Sequence, residues 1–143
     1  MKRIFTILML AALLPLAGSA QCRAFTKNKC LPLLDGYVQN DNYNSAQLVP
    51  GDDAELLLTF YGGKEYRLIL CAHPILGTVL YEVKDTNGEL IYSGDSSDEK
   101  QTFDFKMTNT QQLIVKIKVP EQPASVSTHE GCVSVMVGSK ELK

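Results

Sequence analysis

The sequence predicts an all-β protein: an antiparallel, jelly-roll-like β-sandwich of about seven to eight strands, with an irregular, disulfide-tethered N-terminal segment. Three observations predict this class. From residue 54 onward, apolar and polar residues alternate with a period of two in short runs. Turn residues separate these runs, and no stretch of ten residues shows the apolar stripe of an amphipathic helix. Four cysteines follow an export signal, which indicates an oxidising compartment.

The alternating runs define the strands in order. Gly62 and Gly63 supply the first turn, and Asn87-Gly88 closes a hairpin because this dipeptide readily adopts left-handed turn geometry. Two such faces packed together bury the aliphatic and aromatic side chains, so we expect one sandwich domain over residues 51–143. Its apolar faces come from residues 54–60, 66–70, 79–83, 90–92, 103–107, 113–119 and 133–137.

Residues 21–50 lack this alternation. Turn residues interrupt residues 31–38, and residues 39–45 are rich in amides. We therefore expect an irregular N-terminal segment that leads into a short edge strand at residues 47–49.

Residues 1–20 have the three parts of a secretory signal peptide. Two basic residues follow Met1, an apolar run occupies residues 4–16, and small residues precede a cleavage site between Ala20 and Gln21. Cleavage leaves 12 basic and 16 acidic residues, a net charge of −4, and no transmembrane segment in the mature chain. An acidic chain lacks the basic surface that a nucleic-acid partner requires.

The four cysteines all lie in the mature chain and allow three pairings. We expect Cys22–Cys30 to close a short loop and Cys71–Cys132 to bridge neighbouring strands. The alternative joins Cys22 or Cys30 to Cys71 or Cys132 and attaches the N-terminal segment to the sandwich. Lipidation requires cysteine directly after the cleavage site, whereas Gln21 intervenes here, and a lipid on Cys22 would leave one thiol unpaired. We favour soluble export to the periplasm, cell surface or medium, with a lipoprotein at Cys22 as the alternative.

The sequence carries none of the short motifs of serine hydrolases, zinc proteases, phosphate-binding loops or dinucleotide enzymes. We therefore expect no enzyme activity and no cofactor. His73 and His129 follow and precede cysteines without zinc-ligand spacing, so we predict no metal site, although a Cys71–Cys132 bridge would bring the two histidines together. Weak calcium candidates occur in one polar loop, which ordinary solvation also explains: Asp95, Asp98 and Glu99.

The tyrosines divide by position. Tyr66 and Tyr81 fall on inward positions of their strands, so we expect them in the core. Three others lie near turns and form the candidate binding surface: Tyr37, Tyr43 and Tyr61. The chain has no tryptophan to stack on a sugar, which favours a protein partner over a carbohydrate.

Four segments within residues 48–138 carry a resemblance to known proteins: residues 49–56, 63–68, 85–92 and 131–138. They resemble small secreted β-sandwich proteins of Bacteroidota that have no assigned function. The pattern is also similar to pre-peptidase C-terminal-like domains, in which a glycine and a Tyr-x-Leu strand precede an Asp-x-x-Gly hairpin. This resemblance implies an accessory module in the periplasm or at the cell surface, and it implies no catalytic residues.

These observations together predict an exported, non-enzymatic β-sandwich binding module, an accessory protein that contacts another envelope or secreted protein. A carbohydrate-binding module is the first alternative. A hydrolase with an unrecognised site, built on His73 or His129 and a carboxylate, is the second.

Overall fold

The computed structural model of the chain describes residues 17–40, 44–123 and 129–143. Its strands form two antiparallel sheets packed face to face, so the predicted all-β sandwich is confirmed. The first sheet contains β1 (Val38–Gln39), β2 (Asn44–Leu48), β4 (Lys64–Ala72), β7 (Thr102–Met107) and β9 (Gly131–Glu141). The second sheet contains β3 (Asp53–Phe60), β5 (Leu80–Asp85), β6 (Leu90–Asp95) and β8 (Gln111–Lys118).

The strand order is that of a jelly roll. The first sheet runs β2-β9-β4-β7 and the second runs β3-β8-β5-β6, with the short β1 placed on the same edge of β9 as β2. The predicted edge strand at residues 47–49 is observed as Asn44–Leu48. It begins earlier than its amide-rich sequence indicates because pairing with residues 131–135 of β9 holds it extended.

The main core lies between the two sheets. The inward positions of β4, β8 and β9 supply aliphatic side chains that are almost wholly buried, among them Leu68, Val115 and Val135. Tyr66 and Tyr81 are also buried, as the alternation predicts. Each fully buried side chain of this size stabilises the fold by about 1.5–3 kcal/mol, so the inward faces account for the pairing of the sheets.

The N-terminal segment packs on the outer face of the first sheet. It is helical, where the sequence predicts irregular chain: α1 (Ala17–Phe25) continues as a π-helix (Thr26–Cys30) and a 3-10 helix (Leu31–Leu34). Its residues form a second core cluster with outward residues of β4 and β9. Consequently β9 is buried along Gly131–Gly138 on both faces.

Two disulfides attach this segment to the sheet, Cys22–Cys132 and Cys30–Cys71, with Cα–Cα distances of 5.3 and 5.9 Å. The pairing that the sequence favours, Cys22–Cys30 with Cys71–Cys132, is therefore wrong. The structure has the alternative pairing, which joins the N-terminal segment to the first sheet. Cys30 lies eight positions after Cys22 along a continuous helical chain, a rise of roughly 12 Å that one disulfide does not span.

The register of the sheet explains the rest of the pairing. Cys71 lies opposite Ser134, and the backbone of His73 donates to the Cys132 carbonyl at 2.8 Å. Cys71 and Cys132 are therefore not directly opposite each other in the sheet, and each forms a disulfide with a cysteine of the N-terminal helical segment. Lipidation of Cys22 would require the sulfur that bonds Cys132, so the disulfide and a lipid at Cys22 are mutually exclusive.

The predicted signal peptide falls mainly on residues 1–16, which lie outside the described residues. Within the described residues, α1 (Ala17–Phe25) crosses the predicted cleavage site between Ala20 and Gln21. Within the described ranges, the structure has no helix of the length and hydrophobicity that crossing a membrane requires.

Candidate functional site

A groove, which we name the edge groove, runs between the edge strand β3 of one sheet and β1–β2 of the other. Its volume is about 700 Å³. β3 and the residue after its end contribute Leu57, Thr59 and Tyr61, and β1 contributes Val38 and Gln39. The groove is thus an opening on one side of the sandwich, and the strand edge along its wall has no partner among the residues that the structure describes.

Three apolar side chains in this groove are strongly exposed. Val38, Tyr61 and Leu57 have exposed fractions of 72%, 61% and 58%, the highest values for large hydrophobic residues in the described part of the chain. Exposed apolar residues are ordinary when scattered, but their convergence in one concave surface is typical of an interaction site. The sequence carried one sign of this: Leu57 is an apolar residue at an outward position, between Glu55 and Thr59.

Hydrogen bonds fix the backbone that presents Tyr61. The Tyr66 hydroxyl accepts from the Tyr61 N–H at 2.8 Å and donates to the Tyr61 carbonyl at 3.3 Å. The next residue, Gly62, approaches the Thr108 carbonyl so closely that an added Cβ would lie 2.7 Å from it. The Gly62 N–H also donates to the Thr110 hydroxyl at 2.9 Å. Hydrogen bonds to Tyr66 and Thr110 therefore fix the backbone of Tyr61 and Gly62, and the Tyr61 ring projects from this ordered turn.

The polar residues of the groove lining carry little net charge, because Lys64 is the one ionic side chain among its described residues. The Ser139 hydroxyl donates to Asn40 Oδ1 at 3.4 Å, and Lys64 is paired with Glu141 at 3.4 Å between Nζ and Oε1. Among the described residues β3 pairs with β8 alone, so alternate N–H and C=O groups along Asp53–Phe60 point away from the sheet. The site therefore offers main-chain hydrogen bonds, side-chain amides and apolar contacts together.

Tyr37 is buried, whereas its position near a turn predicts an exposed side chain. Its ring is buried between the Arg67 guanidinium, 4.6 Å from the ring centroid, and the Lys140 ammonium, 4.4 Å from it. Its hydroxyl donates to Glu65 Oε1 at 2.7 Å. Burial, then the Glu65 contact, raises the pKa of Tyr37, and the hydrogen bond from Tyr37 lowers the pKa of Glu65. Tyr37 therefore holds the N-terminal segment against the sheet.

The other two predicted tyrosines have different outcomes. Tyr61 is exposed in the edge groove, as the binding-surface prediction requires. Tyr43 lies outside the described residues. Val38, which the sequence analysis did not single out, is exposed because its strand is only two residues long and pairs on one side with β9.

The weak calcium candidates make local hydrogen bonds. Both the N–H, at 2.9 Å, and the hydroxyl of Ser97 donate to Asp95 Oδ1, and these bonds lower the pKa of Asp95. Gln101 donates to Asp98 at 3.3 Å, and Glu99 is exposed. In the parts of the chain that the structure describes, no three His, Cys, Asp or Glu side chains converge in a group that could hold a metal ion.

The two histidines occupy different surroundings. His73 is exposed, and its Nδ1 accepts from the Ile75 N–H at 3.2 Å, which caps the 3-10 helix Pro74–Leu76. His129 is partly buried. Cys71 and Cys132 do not bond each other, so the disulfide that would have brought the two histidines together is not formed.

No family model matches the sequence, and no curated protein sequence matches it. Among solved structures, the chain is similar to PliG of Aeromonas hydrophila, a periplasmic lysozyme inhibitor of g-type lysozyme. The two share 10% identity over 73% of this chain and 89% of that one, with a TM-score of 0.50.

A second similar structure is the CBM36-1 domain of a multidomain xylanase from the hindgut metagenome of Trinervitermes trinervoides. It shows 9% identity over 76% of this chain and 94% of that one, with a TM-score of 0.36. The likeness to PliG supports the fold, and at these identities neither similarity assigns an activity.

Proposed function

We propose that the protein is an exported, non-enzymatic binding module that contacts another secreted or envelope protein through the edge groove. One observation carries this proposal: the three most exposed large apolar side chains of the described residues converge there. Covering side chains that are about 60% exposed gains about 1–2 kcal/mol each. A partner that buries all three therefore gains a binding contribution that scattered surface residues do not supply.

The groove suits an extended polypeptide segment. Such a segment adds to β3 by main-chain hydrogen bonds, and its alternate side chains enter the groove beside Leu57 and Tyr61. Eight residues of β3 are available for this pairing. The near-neutral lining selects a partner segment of apolar and uncharged polar residues rather than a strongly charged one.

Several further observations support export and a protein partner. Two disulfides fit an oxidising compartment, and the signal-peptide pattern of residues 1–20 provides the route. PliG, which has a similar fold, is a periplasmic inhibitor of another protein, g-type lysozyme. The resemblance to pre-peptidase C-terminal-like domains that we infer from the sequence would also imply an accessory role.

A site-specific photo-crosslinker tests the groove. A benzophenone amino acid replaces Tyr61 in one variant of the oxidised mature protein and Leu90 in the matched control. Leu90 is 56% exposed but lies on β6, outside the groove. After irradiation in an extract of the source organism's envelope and secreted proteins, we expect one discrete polypeptide adduct from position 61 and none from position 90. The change Leu57→Ser should lower the yield at least fivefold.

Equal adduct yields at positions 61 and 90, or an adduct at position 61 that Leu57→Ser leaves unchanged, would contradict binding through the edge groove. Unfolding curves of both labelled variants establish that each is folded. The comparison therefore isolates the location of contact from stability.

A carbohydrate-binding module is the second candidate, favoured by the amide side chains of Gln39, Asn40 and Asn44 beside the exposed Tyr61 ring. Amides and one aromatic ring are suited to sugar hydroxyls and ring faces. Electrophoresis in gels that contain polysaccharides tests it. Retardation that Tyr61→Ala abolishes and Leu90→Ala preserves would replace the protein partner with a glycan.

A further inference from the structure

A second concave site lies beneath the N-terminal segment, on the outer face of the first sheet. Its volume is about 260 Å³. The helical segment supplies most of the wall, and β1 and β9 supply the rest. We name this site the basic pocket, and its lining is Arg23, Thr26, Lys27, Leu31, Gln39 and Met136.

The inner part of the basic pocket is apolar. Leu31 and Met136 form part of its lining, and Met136 is buried against the segment. The Thr26 hydroxyl is already engaged, because it donates to the Cys22 carbonyl at 2.7 Å and lies 2.5 Å from the Ser134 hydroxyl. An occupant therefore meets apolar surface inside.

The exposed lining of the pocket carries two cations, Arg23 and Lys27, that form no ion pair with any residue in the described ranges. Arg23 and Lys27 are four residues apart on the helical segment, so their charges lie on one face and repel each other. Residues 21–34 contain these two, Lys29, and no acidic residue. None of the ion pairs formed among the described residues involves any of the three. The segment is thus a cationic surface on a chain whose predicted mature form is acidic.

Charge complementarity and the apolar lining together define the occupant. We propose that the basic pocket binds an apolar group that ends in a carboxylate, with the carboxylate between Arg23 and Lys27. Two sources share this chemistry: the carboxy-terminal apolar residue of a polypeptide, and a fatty acid. The two disulfides fix the segment over the sheet, so the site exists before the ligand arrives and little ordering opposes binding. The basic pocket shares Gln39 with the edge groove, but the proposal rests on Arg23, Lys27, Leu31 and Met136, which line the basic pocket alone.

Titration of four small probes tests this inference by the methyl signal of isotope-labelled Met136. The probes are octanoate, its neutral amide, N-acetyl-leucine and N-acetyl-leucinamide. We expect at least one carboxylate to shift the Met136 methyl and its matched amide to bind several-fold more weakly. Octanoate alone would identify a fatty-acid site, and N-acetyl-leucine alone a polypeptide terminus, while binding of both confirms the shared chemistry.

Charge variants complete the test. The double change Arg23→Gln and Lys27→Gln should weaken carboxylate binding by roughly three- to tenfold, because each exposed ion pair contributes modestly. Lys29→Gln removes an exposed cation of the same segment that does not line the pocket, so it should change the affinity less than twofold. Tyr61→Ala, in the edge groove, should have no effect.

Three results would overturn the proposal. One is equal binding of each carboxylate and its amide. Another is an affinity loss from Lys29→Gln as large as that from the double variant. The third is the absence of any shift at Met136 with all four probes, while the spectrum shows a folded protein.

Discussion

Removal of the Cys30–Cys71 disulfide should destabilise the protein by about 4 kcal/mol. The bridge joins residues 41 positions apart, and the loop-closure entropy for that length corresponds to about 4 kcal/mol at 25 °C. Cys22–Cys132 spans 110 positions, which alone gives about 5 kcal/mol. When the Cys30–Cys71 bridge is present, the chain path from Cys22 to Cys132 is shorter. The stabilisation expected from the Cys22–Cys132 bridge is then roughly 4 kcal/mol. The changes are Cys30→Ala with Cys71→Ala, and Cys22→Ala with Cys132→Ala.

Two assays measure the effect and its cause. Urea unfolding followed by circular dichroism gives the free energy of unfolding of each double variant and of the wild-type protein. Tryptic mapping under non-reducing conditions gives the pairing, because cleavage after Arg23, Lys27 and Lys29 separates Cys22 from Cys30. We expect a peptide containing Cys22 linked to one containing Cys132.

Two outcomes would refute this reasoning. A tryptic product that links Cys22 to Cys30 would show that the observed disulfides do not attach the helical segment to the sheet. A stability loss below about 1 kcal/mol for both double variants would show that the segment stays in place without its disulfides, by packing alone.

Three smaller predictions concern stability and the groove. Gly138→Ala should cost about 1–3 kcal/mol in urea unfolding, because the added Cβ would lie 2.8 Å from Tyr37 Cβ. Glu65→Gln should lower the melting temperature at pH 7. The difference in melting temperature should shrink as the pH falls below 4.5, the ordinary pKa of a glutamate. The pKa of Glu65 is lowered in the folded protein, so its carboxylate stabilises the fold above that pH and loses this effect as it becomes protonated. Tyr66→Phe should cost about 1–2 kcal/mol by leaving the Tyr61 backbone unpaired, and should weaken partner capture.

Each of these has a contrary outcome. A Gly138→Ala variant as stable as wild type would mean that the segment does not pack closely on β9. A melting difference for Glu65→Gln that stays constant from pH 7 to about pH 3 would exclude the ionised carboxylate as its source. Unchanged partner capture by Tyr66→Phe would separate the Tyr66 hydroxyl from the presentation of the groove.

The sandwich could be predicted from the sequence because the alternation that indicates each strand involves only neighbouring residues. Alternation places Leu58 and Phe60 on one face and Thr59 on the other, and the structure confirms that division. The same alternation predicted the burial of Tyr66 and Tyr81. Neighbouring residues determine these positions, so no knowledge of distant pairing is needed.

The predictions that were wrong concern features that depend on contacts between residues far apart in the sequence. The disulfide pairing depends on the register that sets Cys71 opposite Ser134, and sequence spacing does not encode it. Tyr37 was predicted to be exposed, but Arg67 and Lys140 enclose it only because the helical segment returns to the sheet. The helix was missed because its apolar contacts belong to a short segment held by two disulfides rather than to a long amphipathic stripe.

Hydrogen–deuterium exchange on the partner complex tests binding at the β3 edge most directly. The polypeptide captured at position 61 is purified and added back to the oxidised protein, and backbone exchange is followed with and without it. We predict slower exchange along β3, Asp53–Phe60, and unchanged exchange along β6, Leu90–Asp95, the other edge of the same sheet. Slowing at β6 with β3 unchanged would contradict binding at the edge groove.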